Sequence, residues 1–178
     1  MFERFTAAAR TAVSTAAGAA AAAGTHEIDV DHLLAALLPV VPAAGLSPDA
    51  PGGVLADLAE ARRRAGLSEV DARALAELGI DLDGVVAAAE RELGRGALTA
   101  RPRRSGGRLR LAPAAREALA AALGQARALG DRELRAEHLL LGMLAQRADR
   151  VPADVLAARG VTMATMIAAL QDARRGAA

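Results

Sequence analysis

The chain contains no cysteine, lysine, tryptophan or tyrosine, and its 178 residues include only two phenylalanines. Each absence closes off a chemistry. Without cysteine there is no disulfide and no thiolate to act as nucleophile or ligand. Without lysine the phosphate-cradling pattern Gly-x-x-x-x-Gly-Lys cannot occur. All 22 basic residues are therefore arginine, and 21 acidic residues nearly balance them. The resulting net charge of +1 provides no global field to steer the protein toward nucleic acid or an anionic membrane. With so few aromatics, the core has to be built from Ala, Leu, Val and Ile. Alanine has the best intrinsic helix propensity, so an all-α fold follows.

No apolar run is long enough to span a bilayer. The alanine stretch Ala16–Ala23 is not a signal-peptide core, because Glu3 stands where a basic region belongs and no leucine-rich stretch follows. The same stretch returns deep inside the chain as Ala122–Leu129, interrupted by Gln125 and Arg127, as expected of a soluble helix.

That return belongs to a duplication. Residues 5–38 align without a gap on residues 111–144 at an offset of 106, placing Arg10 on Arg116, Gly24 on Gly130, Glu27 on Glu133 and His32-Leu33-Leu34 on His138-Leu139-Leu140. A second match, Leu78-Gly79-Ile80-Asp81-Leu82 on Arg159-Gly160-Val161-Thr162-Met163, has an offset of 81. The fall from 106 to 81 means that the first unit carries 25 extra residues within about 39–71. A duplicated helical unit with no catalytic set points to a binding module rather than an enzyme.

Helix punctuation divides each unit. In the first, Thr6 caps a helix running to about Ala23 that Gly24 ends, with Phe5, Ala9, Ala12, Val13, Ala16 and Ala20 on the core face. Residues 25–29 read as a turn. A second helix starts near Val30 and is stopped by Pro39 and Pro42. The insert reads as a Pro/Gly-rich loop through Gly53, followed by one added helix over Val54–Ala65. In the second unit Pro113 opens a helix with an apolar stripe of Leu119, Leu123, Ala126 and Leu129. Ala136–Ala145, a short helix from Pro152 and a terminal helix from Thr162 follow. Repeat one thus spans 1–93 and repeat two 111–178. The connection 94–110 reads as a solvated linker, despite Arg95, Arg101, Arg103, Arg104 and Arg108, since no aromatic stands by to stack on bases.

Catalytic and metal motifs are missing. His26, His32 and His138 form no His-Glu-x-x-His pattern, and Ser14, Ser47, Ser68 and Ser105 lack a nucleophile-elbow context. His32 and His138 sit at matching helix starts, where a ring packs or bonds a nearby backbone group. No cofactor or metal is expected.

The opening Met1-Phe2-Glu3-Arg4-Phe5-Thr6, Arg10, Asp31-His32-Leu33-Leu34, Leu111-Ala112-Pro113-Ala114-Ala115-Arg116 and Arg135-Ala136-Glu137-His138-Leu139-Leu140-Leu141-Gly142 together resemble the amino-terminal domain of Clp unfoldases, most closely the ClpC type. The resemblance implies a pseudo-twofold pair of four-helix repeats, with no enzymatic activity of its own. It also implies a cytoplasmic docking module that binds adaptors, substrate proteins or Clp unfoldase subunits and so modulates Clp-dependent proteolysis. The chain ends soon after the second repeat, so a free-standing copy without ATPase modules is expected.

Some domains of this type bind phosphoarginine at two equivalent sites. The matching positions are Thr6 with Asp31, and Ala112 with Glu137. A carboxylate takes the guanidinium, while a hydroxyl and helix amino-terminal amides take the phosphate. Both sites depart from the family pattern, with Asp31 one methylene short of Glu and Ala112 lacking the hydroxyl of Thr. Actinobacterial relatives also bind antibiotic cyclic peptides on a surface that Phe2 and Arg10 match, with Leu111 standing where those relatives carry Phe. Sequestration of such peptides is the alternative function.

Overall fold

A computed structural model describes residues 4–41, 50–67, 69–96, 98 and 109–176. Its elements run α1 (Ala7–Ala22), β1 (Glu27–Ile28), α2 (Val30–Leu37), α3 (Ala50–Arg63), α4 (Glu69–Glu77), α5 (Leu82–Leu93), β2 (Arg110–Leu111), α6 (Pro113–Ala128), α7 (Ala136–Ala145), α8 (Val151–Ala158) and α9 (Met163–Gly176). The fold is all-α, with two sets of four corresponding helices and α3 as the added one.

The duplication repeats hydrogen bond by hydrogen bond. Thr6 N–H donates to the Leu134 carbonyl at 3.0 Å, and Ala112 N–H donates to the Ile28 carbonyl at 2.9 Å. These are one bond seen twice at offset 106, with the repeats exchanged. β1 pairs in parallel with β2, setting Ile28 opposite Leu111, and an isolated parallel bridge sets Phe5 opposite Leu134. Each repeat thus lends the residues before its first helix to the stretch before the other's second helix. The sequence reading missed this ladder, taking 25–29 as a plain turn and 94–110 wholly as linker. Buried backbone groups beside the helix starts need partners, and the opposite repeat supplies them.

The later helices match at offset 81. Val161 N–H donates to the Leu156 carbonyl at 2.9 Å, as Ile80 N–H does to that of Leu75. Gly79 and Gly160 both have φ +79°, the left-handed stop that glycine makes cheap after a helix.

Close helix approach organises the core. α6 buries Ala114, Ala115, Ala118, Ala122 and Ala126. This corrects the expected stripe, because Leu119, Leu123 and Leu129 are only partly buried against its edge. The cause is Gly142 in α7, where a Cβ would stand 2.1 Å from the Ala118 carbonyl oxygen and 2.6 Å from the Ala122 nitrogen. With backbones this close, only small side chains fit between them. Repeat one has the buried Ala36 at the matching place on α2, and α1, which packs on α2, buries Ala9, Ala12, Ala16 and Ala20.

The insert joins the common core, and the helices after it do not. α3 begins at Ala50, so Gly52 and Gly53 lie within the helix and not in the expected loop; residues 42–49 lie outside the described residues. Val54 and Leu58 of α3 are buried in the main core cluster, which holds no described residue of α4 or α5. α3 packs on α8 and touches α2, while α9 packs on α7.

Candidate functional site

The two second helices start in the same way. Asp29 N–H donates to His32 Nδ1 at 3.3 Å, and Arg135 N–H donates to His138 Nδ1 at 3.0 Å. Each histidine thereby satisfies a backbone donor at its helix start, the structural role expected of it. This holds Asp31 and Glu137 at the same position in the first turn of α2 and of α7. A carboxylate is favoured there by the helix dipole.

Beyond that register the two carboxylates differ. Both oxygens of Asp31 are taken by Arg62, from the end of α3, with Nε donating at 2.8 Å and Nη2 at 2.5 Å. The same guanidinium bonds Asp149, with Nη1 at 2.9 Å and Nη2 at 2.6 Å. Asp149 lies between α7 and α8 and is itself held by the fully buried Gln146, whose Oε1 accepts from Asp149 N–H at 2.9 Å and whose Nε2 donates to its carbonyl. Burial alone lowers the affinity of Arg62 for its proton, but the hydrogen bonds and charges of Asp31 and Asp149 outweigh it and raise the pKa. Glu137, half-buried, has no hydrogen bond or ion pair among the described residues.

The hydroxyl positions reverse the contrast. Thr6 Oγ1 caps α1, accepting from Ala9 N–H at 3.3 Å. Ala112 caps α6 with no side-chain bond. Repeat one therefore keeps the hydroxyl but has its carboxylate engaged. Repeat two keeps an open carboxylate but lacks the hydroxyl.

The cyclic-peptide positions divide further. Phe2 lies outside the described residues. Arg10 is exposed and donates from Nη1 to the Phe5 carbonyl at 2.8 Å. Leu111 is half-buried within β2. Arg101, Arg103, Arg104 and Arg108 of the linker also lie outside the described residues.

His138 is fully buried, and desolvation lowers its pKa against the pull of Asp131, whose Oδ2 lies 2.9 Å from Nε2. Asp131 also takes Arg174 of α9, and Arg174 Nη1 donates to the Leu129 carbonyl at 3.0 Å. Charged bonds thus tie α9 to the α6–α7 turn. Repeat one has Thr25 and Leu93 in these places and so lacks that tie.

Arg62 is the residue that sequence reasoning missed. Its partners stand 31 and 87 positions away, and nothing in the local run Arg62-Arg63-Arg64 marks the first as different. Among the described residues no group of three or more His, Asp or Glu is placed to hold a metal ion, and no single helix is long and apolar enough to cross a membrane. A cleft of about 660 Å³ lies between the end of α3 and α8, with Leu67, Val151 and Val155 among its apolar lining.

A duplicated all-α domain whose two halves cross-pair in front of their helices, with a carboxylate at each second helix start, defines a class of paired-repeat helical domain. The family follows from the sequence. Residues 65–158, more than half of the chain, match the model of the Clp repeat (R) N-terminal domain, and the chain belongs to that family. Among solved structures, it is similar to the N-terminal domain of the caseinolytic protease associated chaperone ClpD from Arabidopsis thaliana, at 18% identity and a TM-score of 0.55, covering 96% of this chain and 97% of that one. It is also similar to the Hsp104 N-terminal domain from Candida albicans, at 17% identity and a TM-score of 0.50, covering 92% of this chain and 87% of that one. At such identities the likeness establishes the fold alone. No curated protein sequence matches the chain.

Proposed function

We propose that this chain is a non-enzymatic docking module that modulates Clp-dependent proteolysis by binding adaptors, substrate proteins or degrons. Membership of a family known for substrate and adaptor docking in Clp unfoldases supports the general reading. One observation carries the finer one. Among the described residues Glu137 has no ion-pair or hydrogen-bond partner, and it stands half-exposed in the first turn of α7, where the resemblance assigns the carboxylate that receives a guanidinium. An open carboxylate beside helix amino-terminal amides suits a phosphorylated arginine, because the two charges of that ligand are met by different groups.

Calorimetric titration with phosphoarginine tests this reading. Binding to the wild type is expected, weakened about tenfold or more in Glu137→Gln, since a charge-assisted bond contributes roughly 1.5–3 kcal/mol. Absence of heat with the wild type, or equal affinity in the variant, overturns it. Affinity capture recovering neither Clp unfoldase subunits, adaptors nor client proteins counts against docking altogether.

A further inference from the structure

The insert brings a guanidinium of the chain's own to the repeat-one carboxylate. Two carboxylates from separate elements, Asp31 on α2 and Asp149 between α7 and α8, converge on the single guanidinium of Arg62. Together they present four carboxylate oxygens to it, all hydrogen-bonded, and two partly buried carboxylates brought this close favour a cation between them. Their planar, two-sided geometry matches the fork of an arginine better than a compact ammonium. The pair is therefore a preformed guanidinium receptor, already occupied from within.

We propose that Arg62 is an internal competitor ligand, which keeps the repeat-one seat closed while α3 is docked and leaves Glu137 as the resident open seat. The proposal rests on the reading of Asp31 and Glu137 as guanidinium seats and adds the regulation of one of them. Two further anchors hold α3 in place. Arg159 Nε donates to Asp57 at 2.7 Å, and Val54 and Leu58 are buried in the core. An arginine tethered in this way competes at an effective concentration of about millimolar or above. A free arginine-bearing ligand has to exceed that, or a partner has to lift α3, before Asp31 becomes available. Repeat two has no insert, and among the described residues its carboxylate has no such competitor.

The experiment titrates the full chain with phosphoarginine and follows hydrogen exchange of α3 in parallel. The wild type is expected to bind one equivalent, lost in Glu137→Gln and kept in Asp31→Asn. Arg62→Gln is expected to gain a second equivalent that Asp31→Asn removes, and its α3 amides to exchange about tenfold faster or more. Asp149→Asn, which leaves Arg62 in place, should also speed α3 exchange and guards against a folding defect in the first variant. Glu137-dependent binding that stays at one equivalent in Arg62→Gln overturns the closed seat. Failure of every variant to bind phosphoarginine overturns the ligand reading instead. In that event unchanged α3 exchange in both variants overturns the latch as well, and faster exchange upholds it.

Discussion

Repeat one and repeat two share the backbone hydrogen bonds at their helix starts and glycine stops and part company in their packing. Val161 and Met166 of repeat two are 0% and 1% exposed, whereas their counterparts Ile80 and Val85 are 43% and 53% exposed. Leu156 is fully buried, and its counterpart Leu75 is only half-buried. α8 and α9 therefore close the core of their repeat, while α4 and α5 give no described residue to the main core cluster, Val86 of α5 being buried outside it. Three local differences account for this. Gly142 lets α7 lie against the backbone of α6, whereas α2 carries the methyl of Ala36 at the matching place. Arg174 and Asp131 tie α9 down, where Leu93 and Thr25 cannot. The insert places Val54 and Leu58 in the core and α3 against α2 and α8. Local helix punctuation thus survives duplication on its own, whereas the packing depends on a few contacts that one insertion can redirect.

Matched substitutions sharpen the contrast, and the largest effect is expected at the core leucines. Leu156→Ala should cost about 3–4 kcal/mol, since it opens a cavity in a fully buried place. Leu75→Ala should cost about 1 kcal/mol or less. Urea denaturation of the two variants measures both, and equal losses would erase the distinction between the repeats. Next comes the helix crossing. Gly142→Ala forces a methyl against the backbone of α6 and should cost about 2–3 kcal/mol. Ala36→Gly in repeat one should cost only about 1 kcal/mol, the difference in helix propensity.

The smallest effect is on pH dependence. Burial lowers the pKa of His138 in the folded chain below the ordinary value of about 6.5, so the unfolded chain takes up the proton first. The contribution of this group to stability is complete above about pH 6.5 and is lost as the pH falls below it. Denaturation midpoints at pH 7.5 and 5.5 should therefore differ, and His138→Asn should narrow the difference. An undiminished gap in that variant would place the dependence elsewhere.

Sequence reasoning found what the chain writes locally and repeats. The offset of 106 located the first two helices of each repeat, the offset of 81 paired the stops at Gly79 and Gly160, and the histidines were assigned their structural role. It failed where the outcome depends on distant groups. Two-residue strands leave no periodic trace, so the pairing of Glu27–Ile28 with Arg110–Leu111 was invisible. The leucines of α6 outranked its alanines in hydrophobicity, yet the close approach at Gly142 selected the alanines. Gly52 and Gly53 read as a loop because their cost to a helix is local, while the burial of Val54 and Leu58 that offsets it is tertiary. The candidate site was half legible. The contrasts of Asp31 with Glu137 and of Thr6 with Ala112 were readable from the alignment of the copies. The fact that most alters the site, Arg62 seated on Asp31, joins three segments that no spacing rule connects.

Hydrogen exchange compared position by position at offset 81 tests the inequality of the repeats most directly. Amides of α9 are expected to be protected about a hundredfold or more beyond their counterparts in α5, because α9 opens with the core and α5 opens locally. Equal protection of the two helices would contradict the account.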